Sequence, residues 1–221
     1  MVLYTGKEWE GIMQYQIIDV YETRAGISVV FSCDNENEAD KTLLFKPSLW
    51  MEEKLQAGDV LDEESMEQLS ATAQFCQAIA RAEGLLASTD YSRTRLIYRL
   101  MRYGFARPVC ERTADYMIEK GYIRETEQAL RIARFYCKNK HWGKKRIAAE
   151  LMGRGYCHDA VMCALNSLSD AEYLTSLLQL IEKKYPNPCE DERERQKRIA
   201  SLARLGYTYA EIQRALEETG S

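Results

Sequence analysis

Leu100-Met101-Arg102-Tyr103-Gly104-Phe105, Leu151-Met152-Gly153-Arg154-Gly155-Tyr156 and Leu202-Ala203-Arg204-Leu205-Gly206-Tyr207 are one phrase written three times, at intervals of 51 residues. Each has leucine four residues before a glycine and an aromatic ring directly after it. A basic residue stands nine before the glycine, at Arg95, Arg146 and Lys197. Apolar residues recur six and ten after it: Cys110 and Ala114, Val161 and Leu165, Ile212 and Leu216. Self-similarity at such a period is the mark of stacked supersecondary units that bury their cores against one another. Glycine just past a helix takes the left-handed conformation that ends it, and the aromatic then folds back on the helix just finished. The pair is therefore explained in full as a helix stop. A catalytic site is seldom built three times over, so function is expected on a surface.

Outward from the phrase, each repeat accommodates three helices. In the first, Ser92 caps a helix ending at Gly104, and Pro108 opens another ending at Gly121. Upstream, Asp62 is an N-cap with Glu63 and Glu64 near the positive end of the dipole, and its helix runs to about Leu86. The first 46 residues read as strands. Ile27, Val29, Phe31 and Cys33 alternate with more polar neighbours, Tyr15–Val20 precedes them, and Thr23–Gly26 supplies the hairpin turn. Asp34–Asp40 is a polar loop, Lys41–Lys46 adds a third strand, and Pro47 starts a short helix through Gln56 with Gly58 as its stop. A three-stranded sheet this small needs a helix to pack on. The expected fold is mainly α: three tandem three-helix repeats in an elongated curved stack, preceded by a small β-rich N-terminal domain. The boundaries are 1–61 for the acidic head and 62–221 for the repeats, about 72–122, 123–173 and 174–221.

The 221-residue chain is 46% hydrophobic and 29% charged, which makes a globular fold the expectation and disorder the exception. No apolar run reaches membrane-spanning length, and the N-terminus MVLYTGKEWEGIMQYQ lacks a signal peptide's regions, so a cytoplasmic location is expected. Seven cysteines without a regular framework read as free thiols. The net charge of −4 conceals a segregation. Residues 1–70 hold 5 basic and 15 acidic side chains, residues 91–155 hold 16 and 6, and residues 156–221 hold 8 and 11. A basic middle favours a charged partner or a nucleoprotein; simple solvation of helix faces is the competing explanation.

Two basic clusters stand out. Arg95, Arg99 and Arg102 form a helical stripe in the first repeat, opposite Leu96, Leu100 and Tyr103. Repeat two carries Arg131, Arg134, Lys138, Lys140, Lys144, Lys145 and Arg146, interleaved with Phe135, Tyr136, His141 and Trp142. Such a surface suits phosphate contacts, base stacking or an acidic protein, while the rings equally suit inter-helix packing. Lys144-Lys145-Arg146 open a helix, where cations are unfavourable, so an external anion is one reading and a solvated first turn the other. Two histidines and scattered thiols offer no zinc frame, and no nucleotide loop is present. Neither catalysis, metal nor cofactor is expected.

The repeats resemble the RecX family. Gly143-Lys-Lys-Arg-Ile147-Ala-Ala-Glu150-Leu151-Met-Gly-Arg154-Gly155-Tyr156 looks like its G-x3-I-x2-E-L-x3-G pattern, and Gly121-Tyr122-Ile123-Arg124-Glu125-x3-Ala129 like its junction between repeats. Leu55-x2-Gly58-x2-Leu61 leads into the first repeat as in longer members. Arg95 and Arg124 stand where the family commonly has acids. The resemblance implies a non-enzymatic regulator, acting in DNA recombination, repair and the SOS response. It would lodge as a monomer in the groove of the RecA–DNA filament and mostly inhibit RecA ATPase, strand exchange and co-protease activity. By charge and helical face, Arg95, Arg99, Arg102, Arg131, Arg134, Lys138, Lys144, Lys145 and Arg146 are the candidate contacts to RecA or to single- or double-stranded DNA. A RecA-independent DNA-binding protein and a protein–protein adaptor remain as alternatives.

Overall fold

A computed structural model describes residues 13–34, 39–187, 189 and 191–219. Packing divides the chain into two compact units, Met1–Thr89 with Ile97–Met117, and Asp90–Leu96 with Ile118–Ser221.

The first unit is built on strands β1 (Gln14–Thr23), β2 (Gly26–Cys33) and β3 (Lys41–Phe45), helix α1 (Pro47–Glu53) and strand β4 (Val60–Asp62). They form an antiparallel sheet in the order β3-β2-β1-β4. The expected hairpin is present, with Thr23 paired to Gly26 and its hydroxyl donating to the Gly26 carbonyl at 2.8 Å. Gly26 has φ +143°, and a Cβ there would run into the Phe45 carbonyl, so the close approach of β3 requires glycine. The alternation in β2 buries Val29 and Phe31 completely. A register shift between Ile17 and Asp19 keeps Ile17 inside and turns Ile18 outward.

Two expectations fall short. The sheet has a fourth strand: β4 is three residues long, too short to show a period, and pairing with Gln14–Gln16 defines it. Helix α1 stops at Glu53, where Lys54 turns left-handed at φ 55°, before reaching Gln56. In the polar loop, 35–38 lie outside the described residues, as does the stretch 1–12.

Helix α2 (Glu63–Leu86) starts as expected, the Asp62 carboxylate accepting from Ser65 N at 2.8 Å. Its Met66, Leu69, Ala73 and Cys76, at helical spacing, cover Tyr15, Ile17, Val29, Phe31 and Phe45 of the sheet and Trp50 of α1. Full burial of a phenylalanine such as Phe31 contributes about 2–3 kcal/mol, so this face holds the small sheet in place. The sheet thus finds the helix it needs.

Helices α3 (Arg93–Met101), α4 (Arg107–Glu119), α5 (Glu125–Lys140), α6 (Lys144–Gly153), α7 (His158–Asn166), α8 (Asp170–Lys184), α9 (Glu192–Ala203) and α10 (Tyr209–Thr219) follow. Leu100, Leu151 and Leu202 are fully buried, and Gly104, Gly155 and Gly206 all have positive φ, 93°, 79° and 94°. The helix-stop reading of the repeated glycine therefore holds, yet it is incomplete. Within the second unit the turn also receives another helix. The Ser92 hydroxyl at the start of α3 donates to the Arg154 carbonyl at 2.7 Å. Gly143 N at the start of α6 donates to the Leu205 carbonyl at 2.8 Å, and Lys145 N to the Gly206 carbonyl at 3.2 Å. Ser92 and Gly143 are repeat equivalents, as are Arg154 and Leu205, so one link is made twice. A Cβ on Gly143 would stand 2.6 Å from the Gly206 carbonyl carbon, and one on Gly155 3.0 Å from Thr94 Cβ. Helix N-terminal N–H groups and the carbonyls of a C-terminal turn satisfy each other there.

Candidate protein or nucleic-acid interface

The nine candidate cations fall into distinct environments. On α3, Arg95 is exposed and its guanidinium lies 5.8 Å from the Tyr91 ring centre. Arg99 is half-buried, 5.4 Å from the Tyr103 ring, and its Nε is buried without a hydrogen-bond partner. Arg102 is exposed and its side chain makes no hydrogen bond or ion pair among the described residues. Leu96 and Leu100 face the core as expected, whereas Tyr103 is 43% exposed. Arg81 of α2 approaches that ring as well, at 4.2 Å, so two guanidiniums converge on one tyrosine.

On α5, Arg131, Arg134 and Lys138 are all exposed and follow one another at helical spacing. Arg131 is spent on an ion pair with Asp90. Arg134 and Lys138 make none among the described residues, and Phe135 between them is 50% exposed. Tyr136 and Trp142 behave differently from Phe135. Their rings stack at 4.3 Å and 13°, half-buried against the core of the second unit. For these two, packing is the answer. The Tyr136 hydroxyl bonds Glu150 at 3.2 Å and receives Arg154 Nη2, while Arg154 Nε bonds Glu150 at 2.9 Å. The Arg154 hydrogen bond holds the Glu150 carboxyl below its ordinary range, and burial pushes the Tyr136 phenol up.

The run Lys144-Lys145-Arg146 does not await an anion at the helix terminus. The Leu205 carbonyl accepts from Gly143 N and the Gly206 carbonyl from Lys145 N, so carbonyl oxygens of the chain itself face this positive helix end. Lys144 bonds Asp170 at 2.6 Å, and this partner holds the Asp170 carboxyl low. Arg146 stacks on Trp142 at 4.1 Å and donates to the Arg204 carbonyl at 3.3 Å. Lys145 alone is exposed and unpaired among the described residues. Arg95 over Tyr91 and Arg146 over Trp142 are the same repeat position, ring and arginine four apart, so both arginines have a structural use.

The nine therefore sort into five with intramolecular partners (Arg95, Arg99, Arg131, Lys144, Arg146) and four presented outward (Arg102, Arg134, Lys138, Lys145). The pairing acids Asp90 and Asp170 lie in other segments and left no local signal. Sequence reasoning also missed Arg81 and gave Glu125 no role. Glu125 opens α5, and its two oxygens accept from Arg93 N at 2.7 Å and Cys157 N at 3.2 Å, tying together the starts of α3 and α7. Among the described residues no three His, Cys, Asp or Glu side chains gather as metal ligands, and no helix is long and apolar enough to cross a membrane.

A family model described as RecX, third three-helix domain, matches residues 170–216, the span of α8, α9 and most of α10. Regulatory protein RecX of Chromohalobacter salexigens is 28% identical over 132 residues, covering 60% of this chain and 86% of that protein. Regulatory protein RecX of Clostridioides difficile is 22% identical over 166 residues, covering 74% and 78%. A crystal structure of regulatory protein RecX superposes with a TM-score of 0.74 at 15% identity, covering 93% of this chain and 98% of that one. RecX from Lactobacillus salivarius gives 0.59 at 17% identity, covering 66% and 96%. The first of these likenesses spans nearly the whole of this fold, mainly helical behind an N-terminal antiparallel sheet. With the third domain matched by the family model and relatives aligned over most of their length, this chain is similar in sequence to RecX proteins and shares their fold.

Proposed function

We propose that the chain is a non-enzymatic regulator of the RecA recombinase that acts by binding the RecA–DNA filament, in its groove, and restrains ATP hydrolysis, strand exchange and co-protease activity. Similarity to regulatory protein RecX of two bacteria supports the regulatory role. The observation that carries the reading is the outward cations whose side chains make no hydrogen bond or ion pair among the described residues, Arg102 in the first unit and Arg134, Lys138 and Lys145 in the second, with exposed Phe135 on the same helix as two of them. An unpaired cation keeps its full charge for a partner, whereas one already paired must first give up its acid. Acidic side chains of RecA or DNA phosphates meet these groups.

The deciding measurement is RecA ATPase on single-stranded DNA with and without the chain. Inhibition is expected, and no change at several-fold excess over RecA protomers would end the proposal. Reversing Arg134, Lys138 and Lys145 together to Glu should weaken inhibition at least about tenfold with an unchanged circular dichroism spectrum. Binding to bare DNA separates the competing function. Tight binding with a steep salt dependence, and no preference for RecA-coated strands, would make this a DNA-binding protein in its own right.

A further inference from the structure

The repeated Gly–aromatic turn is filled twice and left open once. At Gly155 the turn meets Ser92 and Thr94, and at Gly206 it meets Gly143, Lys145 and Arg146, each time the first turn of a helix. Gly104 has the same left-handed backbone, at φ 93°, yet a Cβ there would meet no described atom within 4 Å. The carbonyls that do the receiving, Arg154 and Leu205, correspond to Tyr103. Among the described residues nothing donates to the carbonyl of Tyr103 or Gly104.

We propose that the Gly104–Phe105 turn is a docking socket for the N-terminal turn of a helix with acidic first-turn side chains, carried by a protein partner. The molecule itself shows what fits such a turn: the small residues and hydrogen-bond donors at the start of a helix, backbone N–H groups at Gly206 and the Ser92 hydroxyl at Gly155. The surroundings add a charge requirement. Arg81 and Arg99 converge on the Tyr103 ring at 4.2 and 5.4 Å, Arg102 is exposed beside it, and none of the three forms an ion pair among the described residues. Open carbonyls need N–H donors and the guanidiniums need carboxylates. A phosphate satisfies only the second demand and is repelled by the first. A helix start with Asp or Glu in its first turn satisfies both, because its N–H groups lack intrahelical partners and acids are the side chains favoured there.

A second copy of this chain is a poorer occupant. Its repeat-equivalent helix, α9, begins three residues early in the repeat frame and caps itself. Asp191 accepts from Glu194 N at 2.6 Å, and the Glu194 carboxylate is spent on buried Arg198. Assigning the docking helix to RecA rests on the function proposed above.

The test compares binding of the wild-type chain and Gly104→Asn to RecA filaments on single-stranded DNA. Asparagine tolerates the left-handed backbone and its Cβ meets no described atom within 4 Å, while the rest of its side chain extends into the socket. Filament binding should weaken at least about tenfold, with the circular dichroism spectrum and bare-DNA binding unchanged. Arg81→Gln, which leaves the turn itself intact, should weaken filament binding several-fold and guards against a folding defect in the first variant. Wild type that binds filaments while both variants bind equally well overturns the socket alone. Wild type that binds no filament ends the proposed function and this occupant with it. Self-association of wild type, abolished by Gly104→Asn in sedimentation, would give the socket to a second copy and overturn the proposal.

Discussion

The Gly206 turn and the Gly104 turn share a backbone conformation and a sequence phrase, and they differ in what meets them. Gly206 lies against the backbone of Gly143 and Arg146, while nothing described approaches Gly104. The same divergence appears five residues upstream, where Arg99, Glu150 and Ser201 are repeat equivalents. Glu150 is bonded by Arg154 and Tyr136, and the Ser201 hydroxyl accepts Lys184 Nζ at 2.7 Å. Arg99 keeps a buried Nε without a partner. Positions that build the unit are common to all three repeats. Positions that answer to a neighbour change with the neighbour, and in repeat one the neighbour is missing among the described residues.

The widest gap should appear between Gly206→Ala and Gly104→Ala. Both force a Cβ into the left-handed region, at about 1–2 kcal/mol. At Gly206 the new carbon would also lie 2.7 Å from Arg146 Cβ and nearer still to its backbone nitrogen, which cannot rotate away. The total there should reach roughly 3–5 kcal/mol, a fall in Tm on the order of 10 °C against a few degrees for Gly104→Ala. Equal shifts in thermal unfolding would erase the distinction between a filled and an open turn.

A smaller loss is expected at Glu125, which sharpens how the filled junctions are held. Glu125→Ala leaves Arg93 N and Cys157 N without their shared acceptor, at about 2 kcal/mol for two hydrogen bonds to a charged group that is only half-buried. Glu125→Gln keeps one acceptor oxygen and should cost about half as much. Urea unfolding at neutral pH reads both, and a neutral Glu125→Ala would show that the two helix starts are held by packing alone.

Much of this was legible in the chain. The 51-residue period gave the helix stops, because glycine, leucine and the leucine-glycine spacing are local requirements of one helix end. The caps at Asp62 and Ser92 were legible for the same reason. What escaped reading depends on distant partners. Strand β4 exists through pairing with Gln14–Gln16, Lys144 is neutralised by Asp170, and Arg131 by Asp90. The cations at the start of α6 seemed to call for an external anion, and the carbonyls that occupy that helix end come from residues 205 and 206. Of the candidate surface, the helices could be named from charge, but which cations stay free is a tertiary property.

The smallest effect concerns the Glu150 position and has a definite pH sign. Hydrogen bonding by Arg154 lowers the Glu150 carboxyl from its ordinary value near 4.5. A carboxyl depressed in the folded state contributes stability that is complete above its unfolded value and is lost as pH falls through the folded one. Both side chains are more than a third exposed, so solvent screening keeps the contribution under about 1 kcal/mol. Wild type should therefore exceed Glu150→Gln slightly in Tm at pH 6, with the difference shrinking as the pH is lowered below about 4.5. Asp62, Asp170 and Glu172 are lowered as well and lend the same slope to both proteins, so only the difference between them isolates Glu150. A gap that stays constant down to pH 3 would mean that the Tyr136–Glu150–Arg154 contacts act through shape and not through charge. Repeat two would then differ from repeat one by packing alone, and the Arg99 Nε without a hydrogen-bond partner would lose its contrast.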